Sequence, residues 1–458
     1  MRQFIHRHIV LPVYETVLHG RKNFRYWRDL ERTQWLSLAE LQRIQFENLR
    51  RLVSHTWENC PYYREAWQSA GLSPDQLKTV EDFRQWPILH REDILQHRHQ
   101  MRARVPGMKF ISKSTGGSSG VPLHFEYDMG SEERRYGAYY RGYGWAGGAP
   151  GSRQLWLWGV PIGERPFLKE WKDRLYHAIY GRRMLNSFEL SDESVPEFLQ
   201  QINDCKPDVI VAYTNAIYTF ARQLKERGLK PYAPKSIIVG AEKLYDFQRE
   251  VIEGVFGAPV FETYGSREFM LIGAECERHE GLHLTMEHLL VEVLDDDGNP
   301  TPDGDEGNVV VTDLFNYGMP FIRYVNGDRA IAGWGACSCG RGLPLLKKVV
   351  GRQLDVIHTP DGRKLPGEFF PHLIKDFAPV KRFVVIQDEP DHLEVRVVMG
   401  SEWNPGDRET ILKRIRDVVG PDMRLDVQEV EDIPLTAVGK HRVVINRVNG
   451  QPAVKVGA

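Results

Sequence analysis

The residues with the clearest chemical potential form a loop rich in glycine and hydroxyl groups. It runs from Ser112 to Pro122 and reads Ser-Lys-Ser-Thr-Gly-Gly-Ser-Ser-Gly-Val-Pro. Backbone N–H groups and hydroxyls in such a loop can surround an anion with no side chain in the way. A Walker-type loop would end in Gly-Lys-Ser/Thr, whereas this one ends in Gly120-Val121-Pro122. The loop alone predicts either a polyphosphate site or a plain flexible turn, and the downstream sequence must decide between them.

Three polar, aromatic or glycine-rich segments follow short apolar runs in the middle of the chain. They are Tyr213-Thr214, Gly240-Ala241-Glu242 and Glu262-Thr263-Tyr264-Gly265. Ligands of open α/β sheets bind outside the carboxyl ends of the strands. Each segment alone is typical of ordinary turn chemistry, but three in succession favour a binding crevice.

Cysteine and histidine residues form a candidate metal site. Cys337 and Cys339 make a Cys-x-Cys pair, and Cys276 lies upstream with His283 seven residues further on. Three thiolates and one imidazole are a normal tetrahedral set for structural Zn²⁺. The Cys-x-Cys spacing is tighter than the usual Cys-x₂-Cys, and His279 competes with His283 for the fourth place. A structural zinc and free thiols in a turn both remain open.

The elements that would position these groups alternate between strand and helix. Four apolar runs predict strands at Leu155–Trp158, Val209–Ala212, Ile237–Val239 and Pro259–Phe261. Helical patterns at Ala216–Leu224 and near Tyr245–Val255 separate the later runs. Short apolar runs alternating with helices of about 10–15 residues are typical of βαβ units and a largely parallel sheet.

Flanking segments complete the predicted architecture. Ser37 and Glu40 fit a capping box that starts a helix. Two β-rich runs, residues 289–294 and 308–312, predict an antiparallel pair around an acidic turn that lacks the spacing of a calcium loop. Beyond residue 350, three strand patterns and one helical pattern predict a small α+β domain; they are Arg382–Gln387, Leu393–Val398, Arg408–Val419 and Leu425–Val430.

The bulk composition limits the class of protein. The 458 residues carry a net charge of −2, which gives no general attraction to nucleic acid. Five cysteines do not make a disulfide framework, and no apolar stretch approaches the roughly 20 residues that span a bilayer. No signal peptide is visible, so a cytoplasmic protein is expected. The basic first 28 residues favour a solvated arm, with a peripheral membrane or partner contact as the alternative.

Five motifs in a fixed order resemble those of adenylate-forming ligases. They are Gly117-Ser118-Ser119-Gly120-Val121-Pro122, Tyr264-Gly265-Ser266-Arg267-Glu268, Tyr324-Val325-Asn326-Gly327-Asp328, Gly351-Arg352-Gln353-Leu354-Asp355 and Pro434-Leu435-Thr436-Ala437-Val438-Gly439-Lys440. The stretch from Gln42 through Pro61-Tyr62-Tyr63-Arg64 resembles the phenylacetate–CoA ligase branch, closest to the branch found with capsule and polysaccharide biosynthesis. The resemblance covers nearly the whole chain. It implies an α/β fold with a large domain over residues 1–350, containing Rossmann-like parallel sheets and a β-rich part, and a small mobile α+β domain over residues 351–458.

The resemblance also implies a reaction and its cofactors. A carboxylic acid would attack the α-phosphate of ATP to form an acyl-adenylate, and CoA would then accept the acyl group. Glu268 would help to hold Mg²⁺, Lys440 would reach the α-phosphate and the attacking carboxylate, Asp328 would bind the ribose hydroxyls, and Arg352 would lie near the ribose and phosphate. The other nucleotide-binding positions would be Ser114, Thr115, Gly116, Gly117, Ser118, Ser119, Gly120, Gly240, Ala241, Glu242, Glu262, Thr263, Tyr264 and Gly265.

Three positions depart from the family pattern. Val121 stands where many relatives have lysine, Leu354 takes the first aspartate position of the hinge, and Leu435 replaces a common arginine. Leu354 bears on the second half-reaction more than on the first. The alternatives are transfer to an amine, a sugar or a carrier protein, and a regulator that binds nucleotide without catalysis. The oligomeric state stays open. An acid pocket is expected near Tyr136, Tyr140, Tyr213 and Tyr264.

Overall fold

A computed structural model describes residues 2–115, 123–159, 167–190, 193–333, 335–351, 356–367, 369–374, 380–399, 404–433 and 443–448. The chain divides into two compact units. The larger unit comprises Met1–Ser112 and Phe125–Gly351, and the smaller unit comprises Lys113–His124 and Arg352–Ala458. A search of the described residues finds no helix that is long and apolar enough to cross a membrane.

The helices are concentrated in the first hundred residues and around the central sheet. In chain order they are α1 (Arg2–Ile5), α2 (Asn23–Thr33), α3 (Leu38–Asn59), α4 (Pro61–Ser69), α5 (Val80–Phe83), α6 (Arg91–Met101), α7 (Met129–Trp145), α8 (Phe167–Ile179), α9 (Val195–Cys205), α10 (Thr214–Glu226), α11 (Asp246–Phe256), α12 (Phe369–Ile374) and α13 (Pro405–Val419). Shorter 3₁₀ turns lie at Pro74–Gln76 and Ser187–Glu189, and π-helical segments at His6–Val10 and Val13–Leu18. Helix α3 starts as predicted, because Ser37 and Glu40 form a reciprocal capping box.

In the described ranges the strands form one large sheet and three small ones. In chain order they are β1 (Phe110–Ser114), β2 (His124–Asp128), β3 (Gln154–Trp158), β4 (Arg182–Asn186), β5 (Val209–Tyr213), β6 (Ser236–Gly240), β7 (Val260–Tyr264), β8 (Gly273–Glu275), β9 (Leu282–Leu284), β10 (Leu289–Leu294), β11 (Glu306–Asp313), β12 (Tyr324–Ala332), β13 (Leu345–Gly351), β14 (Val356–His358), β15 (Lys364–Pro366), β16 (Val380–Glu389), β17 (His392–Met399), β18 (Arg424–Glu429) and β19 (Val444–Asn446).

The parallel half of the large sheet confirms the predicted βαβ units. Its strand order is β4-β3-β5-β6-β7, and every neighbouring pair is parallel. Apolar residues of α9, α10 and α11 pack on one face, while α2 and α7 supply the aromatic core on the other face. The strands are apolar on both faces for this reason, which explains their continuous apolar runs in the sequence.

The antiparallel half continues the same sheet from β7. The order β7-β8-β9-β13-β12-β11-β10 is antiparallel at every step. The predicted pairing of residues 289–294 with 308–312 is confirmed, since Leu289 pairs with Asp313 and Leu294 with Asn308. The parallel and antiparallel halves therefore meet at β7, whose last residue is Tyr264.

The smaller unit has its own sheet and core. Its strand order is β18-β17-β16-β19, with β16 and β17 antiparallel and the outer pairs parallel. Apolar residues of α12 and α13 pack on this sheet, among them Phe370, Ile411 and Ile415. The strand and helix patterns predicted beyond residue 350 are confirmed to within three residues at each end.

Candidate active site

The three polar segments predicted from the sequence lie at one edge of the parallel sheet. Tyr213 ends β5, Gly240 ends β6 and Tyr264 ends β7. Tyr213 pairs in register with Gly240, and Val239 pairs with Glu262 on the next strand. The structure therefore brings these segments together at the carboxyl ends of neighbouring strands, where ligands of such sheets bind.

Close backbone packing explains the glycine and the turn at the end of β6. A Cβ atom on Gly240 would lie 2.6 Å from Oγ1 of Thr263, which donates a hydrogen bond of 2.8 Å to the carbonyl of Val239. The next residue, Ala241, has a φ of 68°, a left-handed conformation that is uncommon for a side chain with a Cβ. Strain of this kind concentrates at ligand-binding turns.

A hydrogen-bonded cluster joins two of the sequence motifs. The hydroxyl of Tyr264 donates to Oδ2 of Asp328 at 2.9 Å and accepts from Nδ2 of Asn326 at 2.7 Å. Nδ2 of Asn326 also donates to Oδ2 of Asp328 at 3.0 Å, and the backbone N–H of Asp328 donates to Oδ1 of Asn326. These contacts fix the Asp328 carboxylate beside the end of β7. Sequence reasoning quoted Asn326 within its motif but gave it no role.

Two carboxyl groups at the strand ends have raised pKa values. Oε2 of Glu242 accepts the backbone N–H of Asn215 at 2.7 Å, and burial raises the pKa of Glu242. Burial, followed by repulsion from Glu275, raises the pKa of Glu262 to about 7. The hydrogen bond with His279 and the charge of Arg249, whose Nη2 donates to both carboxylate oxygens at 2.8 and 3.0 Å, lower the pKa of Glu275 despite its burial. Such perturbed carboxyl groups are common in functional clefts.

The turn after β7 carries Glu268. A Cβ atom on Gly265 would overlap the carbonyl oxygen of Met270, and the backbone N–H of Met270 donates to the carbonyl of Ser266 at 2.7 Å. This tight turn buries Glu268, which is 4% exposed. No hydrogen bond or ion pair to its carboxylate is found among the described residues. A buried carboxylate without a protein cation suits a Mg²⁺ ligand.

Hydrogen bonds join the residues on either side of the glycine-rich loop. The backbone N–H of Thr115 donates to the carbonyl of Leu123 at 2.9 Å, and the backbone N–H of Leu123 donates to Oγ1 of Thr115 at 3.1 Å. Ser114 ends β1. Seven of the predicted nucleotide-binding and catalytic residues lie outside the described residues; they are Gly116, Gly117, Ser118, Ser119, Gly120, Arg352 and Lys440.

Aromatic rings run along the face of the parallel sheet under α7. Ring centroids are 6.5 Å apart for Tyr136–Tyr139, 4.2 Å for Tyr139–Tyr143, 6.2 Å for Tyr143–Trp156, 5.7 Å for Trp156–Trp158 and 4.0 Å for Trp158–Tyr213. The row connects two of the tyrosines expected near the acid pocket, Tyr136 and Tyr213. It ends at the strand edge that carries Gly240.

Arg182, at the start of β4, is a residue that sequence reasoning missed. Its guanidinium lies 4.9 Å from the ring centroids of both Trp156 and Tyr180, and Nη2 donates to the hydroxyl of Tyr139 at 3.1 Å. Its Nε is buried without a hydrogen-bond partner in the described part of the chain. No local pattern marks Arg182 in the sequence, because its partners come from α7, β3 and the residue that follows α8.

The predicted cysteine and histidine residues form one cluster. The ligand atoms of Cys276, His283, Cys337 and Cys339 all lie within 4.8 Å of one another. Nε2 of His283 is 3.4 Å from Sγ of Cys276 and 3.4 Å from Sγ of Cys339. The competing His279 instead contacts Glu275, with Nδ1 at 3.1 Å from Oε2. The structure therefore selects His283 as the fourth member.

The protonation of His283 also suits a metal ligand. Nδ1 lies 3.3 Å from the carbonyl oxygen of Leu343, which can only accept, so Nδ1 carries the proton. Burial lowers the pKa of His283 to about 4, and the ring is neutral at pH 7. Its Nε2 lone pair consequently faces the thiols. Three thiols with one such imidazole match the donor set of a closed Zn²⁺ site.

The end of α2 packs over this cluster. Gln34 accepts hydrogen bonds from Trp145 at 2.9 Å and from Nε of Arg341 at 3.1 Å. The backbone N–H of Gly342 donates to the carbonyl of Gln34 at 2.9 Å, and a Cβ on Gly342 would overlap the carbonyl oxygen of Leu36. The cluster therefore lies where three distant parts of the chain meet.

Comparisons with known proteins agree with the fold. Residues 357–447 match the CapK C-terminal domain. The phenylacetate-coenzyme A ligase of Aromatoleum evansii is 26% identical over 441 residues, covering 92% of this chain and 97% of that protein. The corresponding enzyme of Thermus thermophilus is 25% identical over 443 residues, covering 90% and 97%.

Solved structures give the same result for the fold. A crystal structure of 2-hydroxyisobutyryl-CoA ligase with 2-HIB-AMP and CoA in the thioesterification state has a TM-score of 0.62 and 19% identity, covering 91% of this chain and 92% of that one. The same ligase in the postadenylation state with R3-HIB-AMP has a TM-score of 0.60 and 20% identity, with 91% coverage of each chain. The chain therefore has the fold of the adenylate-forming CoA ligases and is a relative of the phenylacetate–coenzyme A ligases, which confirms the resemblance in its motifs.

Proposed function

We propose that the protein activates a carboxylic acid with ATP as an acyl-adenylate, releases pyrophosphate, and transfers the acyl group to CoA. The observation that carries this proposal is the cluster in which Tyr264 and Asn326 hold the carboxylate of Asp328 at the end of β7. Two of the family's motifs meet there, at the sheet edge where a nucleotide would bind. Relatives that cover 90% or more of this chain are phenylacetate-coenzyme A ligases.

Each predicted residue has a proposed part in binding the nucleotide. The Asp328 carboxylate would accept hydrogen bonds from the ribose hydroxyls, and the segments ending in Glu242 and Tyr264 would flank the adenine. The loop from Thr115 to Gly120 would bind the β and γ phosphates through backbone N–H groups. Arg352 would lie near the ribose and phosphate.

Charge stabilisation would carry the adenylation step, because negative charge spreads over several phosphate oxygens as pyrophosphate leaves. The buried Glu268 is proposed to hold Mg²⁺, which supplies positive charge at those oxygens when bound. Lys440 would add a compact charge at the α-phosphate and the attacking carboxylate. The division into domains at residues 350 and 351 would let one small domain serve two successive steps by moving between them.

The aromatic row under α7 supports an aromatic or large apolar acid as the substrate class. Tyr136 and Tyr213 lie at the two ends of this row, and Trp158 contacts Tyr213 at 4.0 Å. Stacked and edge-on rings favour another ring over a short acid. Tyr140 packs on the same side, 6.0 Å from Tyr136.

CoA is the proposed acceptor, and an amine, a sugar or a carrier protein is the alternative. The match of residues 357–447 to the CapK C-terminal domain supports a place for the product in capsule or polysaccharide biosynthesis. A structural zinc at Cys276, His283, Cys337 and Cys339 is also proposed. Such a closed four-ligand site would stabilise the fold and take no part in the chemistry.

The test is ATP–pyrophosphate exchange with the full chain, Mg²⁺ and a panel of aromatic and aliphatic carboxylic acids. Exchange with at least one acid is expected, and Asp328→Asn should depress it. Asp75→Asn, on an exposed short helical turn, is the matched control and should leave exchange unchanged. ATP binding without exchange for any acid would favour the non-catalytic regulator. A CoA thioester among the products would separate CoA from the other acceptors.

A further inference from the structure

The N-terminal helical segment exposes an unusual amount of apolar surface. Between residues 4 and 18, seven large apolar side chains are 38–73% exposed; they are Phe4, Ile5, Ile9, Val10, Val13, Val17 and Leu18. These are half of the fourteen large apolar side chains that the described residues expose. Scattered exposed apolar residues need no explanation, but such a concentration in fifteen residues marks an interaction surface.

The helical period gathers these side chains on one side. Positions 4, 9, 13 and 17 form one row, with successive spacings of five, four and four residues. Positions 5, 10 and 18 form an adjacent row, with spacings of five and eight residues. The segment is largely π-helical, with i→i+5 hydrogen bonding, so residues at these intervals share a face. Leu11 and Glu15, four residues apart, are fully buried on the opposite side. We call the exposed face, residues 4–18, the N-terminal apolar ridge.

The ridge is held firmly by its buried side. Leu11 lies in the aromatic core with Phe24 and Trp27. Oε2 of Glu15 accepts from Nη1 of Arg21 at 3.2 Å and from Nδ2 of Asn23 at 3.1 Å. The exposed apolar face is consequently a fixed surface of the larger unit and not a loose tail.

Helix α8, whose last residue contacts this segment, exposes two more apolar side chains. Trp171 is 60% exposed and Leu175, one turn later, is 48% exposed. Nε2 of His6 contacts the carbonyl of Ile179, the last residue of α8, and the ring of Tyr14 lies edge-on to Tyr180 at 6.1 Å. The two helices therefore contact each other, and Trp171 is of the residue type that is enriched at membrane–water interfaces.

The segment that carries the ridge is predominantly basic. The first 28 residues contain six basic residues and one acidic residue, Glu15, which is buried and paired with Arg21. Arg7, Lys22, Arg25 and Arg28 are exposed. The whole chain has a net charge of −2, so this end is positive against a slightly negative remainder.

We propose that the N-terminal apolar ridge, with Trp171 and Leu175, binds the surface of an anionic phospholipid bilayer. An apolar helical face flanked by arginine and lysine is the pattern of a segment that lies in the membrane interface. A second copy of the chain fits less well, because a symmetric contact would place like basic groups together without acidic partners. Anionic headgroups would neutralise the same groups.

The test is cosedimentation of the full chain with vesicles of phosphatidylglycerol and phosphatidylcholine, and with phosphatidylcholine alone. Binding is expected to be strong to the anionic vesicles, weaker at high salt, and weak to the neutral vesicles. The double variant Val13→Asp/Val17→Asp should reduce the partition onto anionic vesicles at least tenfold. Lys22→Glu/Arg25→Glu should also reduce it and should weaken the salt dependence, to which Arg7 and Arg28 still contribute.

Leu95→Asp is the matched control, because Leu95 is an apolar residue of α6 that is 44% exposed and far from the N-terminal segment in sequence. It should bind vesicles like the unchanged chain. All variants should keep the melting temperature, since every substituted side chain is exposed. Absence of vesicle binding by the unchanged chain would overturn the proposal. So would an equal loss in the Leu95 variant, or a dimer in light scattering that Val13→Asp/Val17→Asp dissociates while the vesicles stay unbound.

Discussion

Removing one hydroxyl tests whether the cluster at the end of β7 prepares the nucleotide site. In Tyr264→Phe the ring stays, but two hydrogen bonds are lost, the 2.9 Å bond to Oδ2 of Asp328 and the 2.7 Å bond from Asn326. Asn326 keeps its 3.0 Å bond to the same carboxylate oxygen. The variant should therefore leave Asp328 in place on average but less firmly oriented.

The expected magnitude follows from the bond to the charged carboxylate. A hydrogen bond to a charged group contributes about 1.5–3 kcal/mol, and the remaining bond from Asn326 retains part of the restraint. A loss of about 1.5 kcal/mol in nucleotide binding corresponds to a roughly tenfold rise in the Kd for ATP. Titration calorimetry with Mg-ATP measures this without any knowledge of the acid. In turnover assays the loss should appear mainly in KM, because ribose contacts act alike in the ground and transition states.

A second buried tyrosine provides the control. The hydroxyl of Tyr63 donates to the carbonyl of Pro320 at 2.6 Å, and neither residue belongs to the Tyr264 cluster. Tyr63→Phe should lower the melting temperature, because a buried hydrogen bond is lost, but it should leave the Kd for ATP unchanged. The reasoning is refuted if both variants bind ATP as tightly as the unchanged chain, or if both weaken binding equally.

Three further predictions concern the cysteine and histidine cluster, pH and the second domain. Cys337→Ser should lower the zinc content from about one per chain and reduce the melting temperature, whereas Cys205→Ser should do neither; a metal-free parent protein would contradict this. Burial lowers the pKa of His288 to about 4. Between pH 6.5 and 4 the imidazole therefore takes up a proton more readily in the unfolded chain than in the folded one. The free energy of unfolding should consequently fall by up to about 3 kcal/mol as the pH drops from 6.5 to 4. In His288→Phe, which keeps the ring stacked on Phe315, urea unfolding should show a correspondingly smaller fall. Lys440→Ala should depress adenylation at least a hundredfold, which corresponds to about 3 kcal/mol. The same variant should transfer the acyl group from a pre-formed adenylate to CoA at a near-normal rate. Equal loss in both steps would contradict domain alternation.

Much of the fold could be predicted because its strands and helices differ in hydrophobic period. The continuous apolar run of β5 and the spacing in α10 were found within two residues of their bounds. The short strands β8 and β9 were not predicted. Each has only three residues, which is too short for a period to be read, and their pairing depends on partners far along the chain.

The site residues that belong to a local sequence motif could be predicted. The contacts that form only when distant parts of the chain fold together could not. Tyr264 and Asp328 were named because each belongs to a short motif that resembles one of the family's, Tyr264 as the first residue of one and Asp328 as the last residue of the other. Their contact through Asn326 was not, because the two motifs are more than sixty residues apart and only the sheet brings them together. Arg182 was missed for the same reason, since aromatic rings from three other elements surround it.

The cysteine cluster adjoins β8, the strand that pairs with β7, and the proposed nucleotide site lies at the end of β7. Glu275 ends β8, and the next residue is Cys276 of the cluster. Oε2 of Glu275 accepts the backbone N–H of Glu262 at 2.7 Å, and Glu275 is also the neighbouring charge that helps to raise the pKa of Glu262 to about 7. A displacement of Cys276 would therefore move Glu275 relative to Glu262 and Arg249, and the protonation of Glu262 would change with it. The zinc proposed above would in this way hold the charges around the end of β7 in place while taking no part in the chemistry.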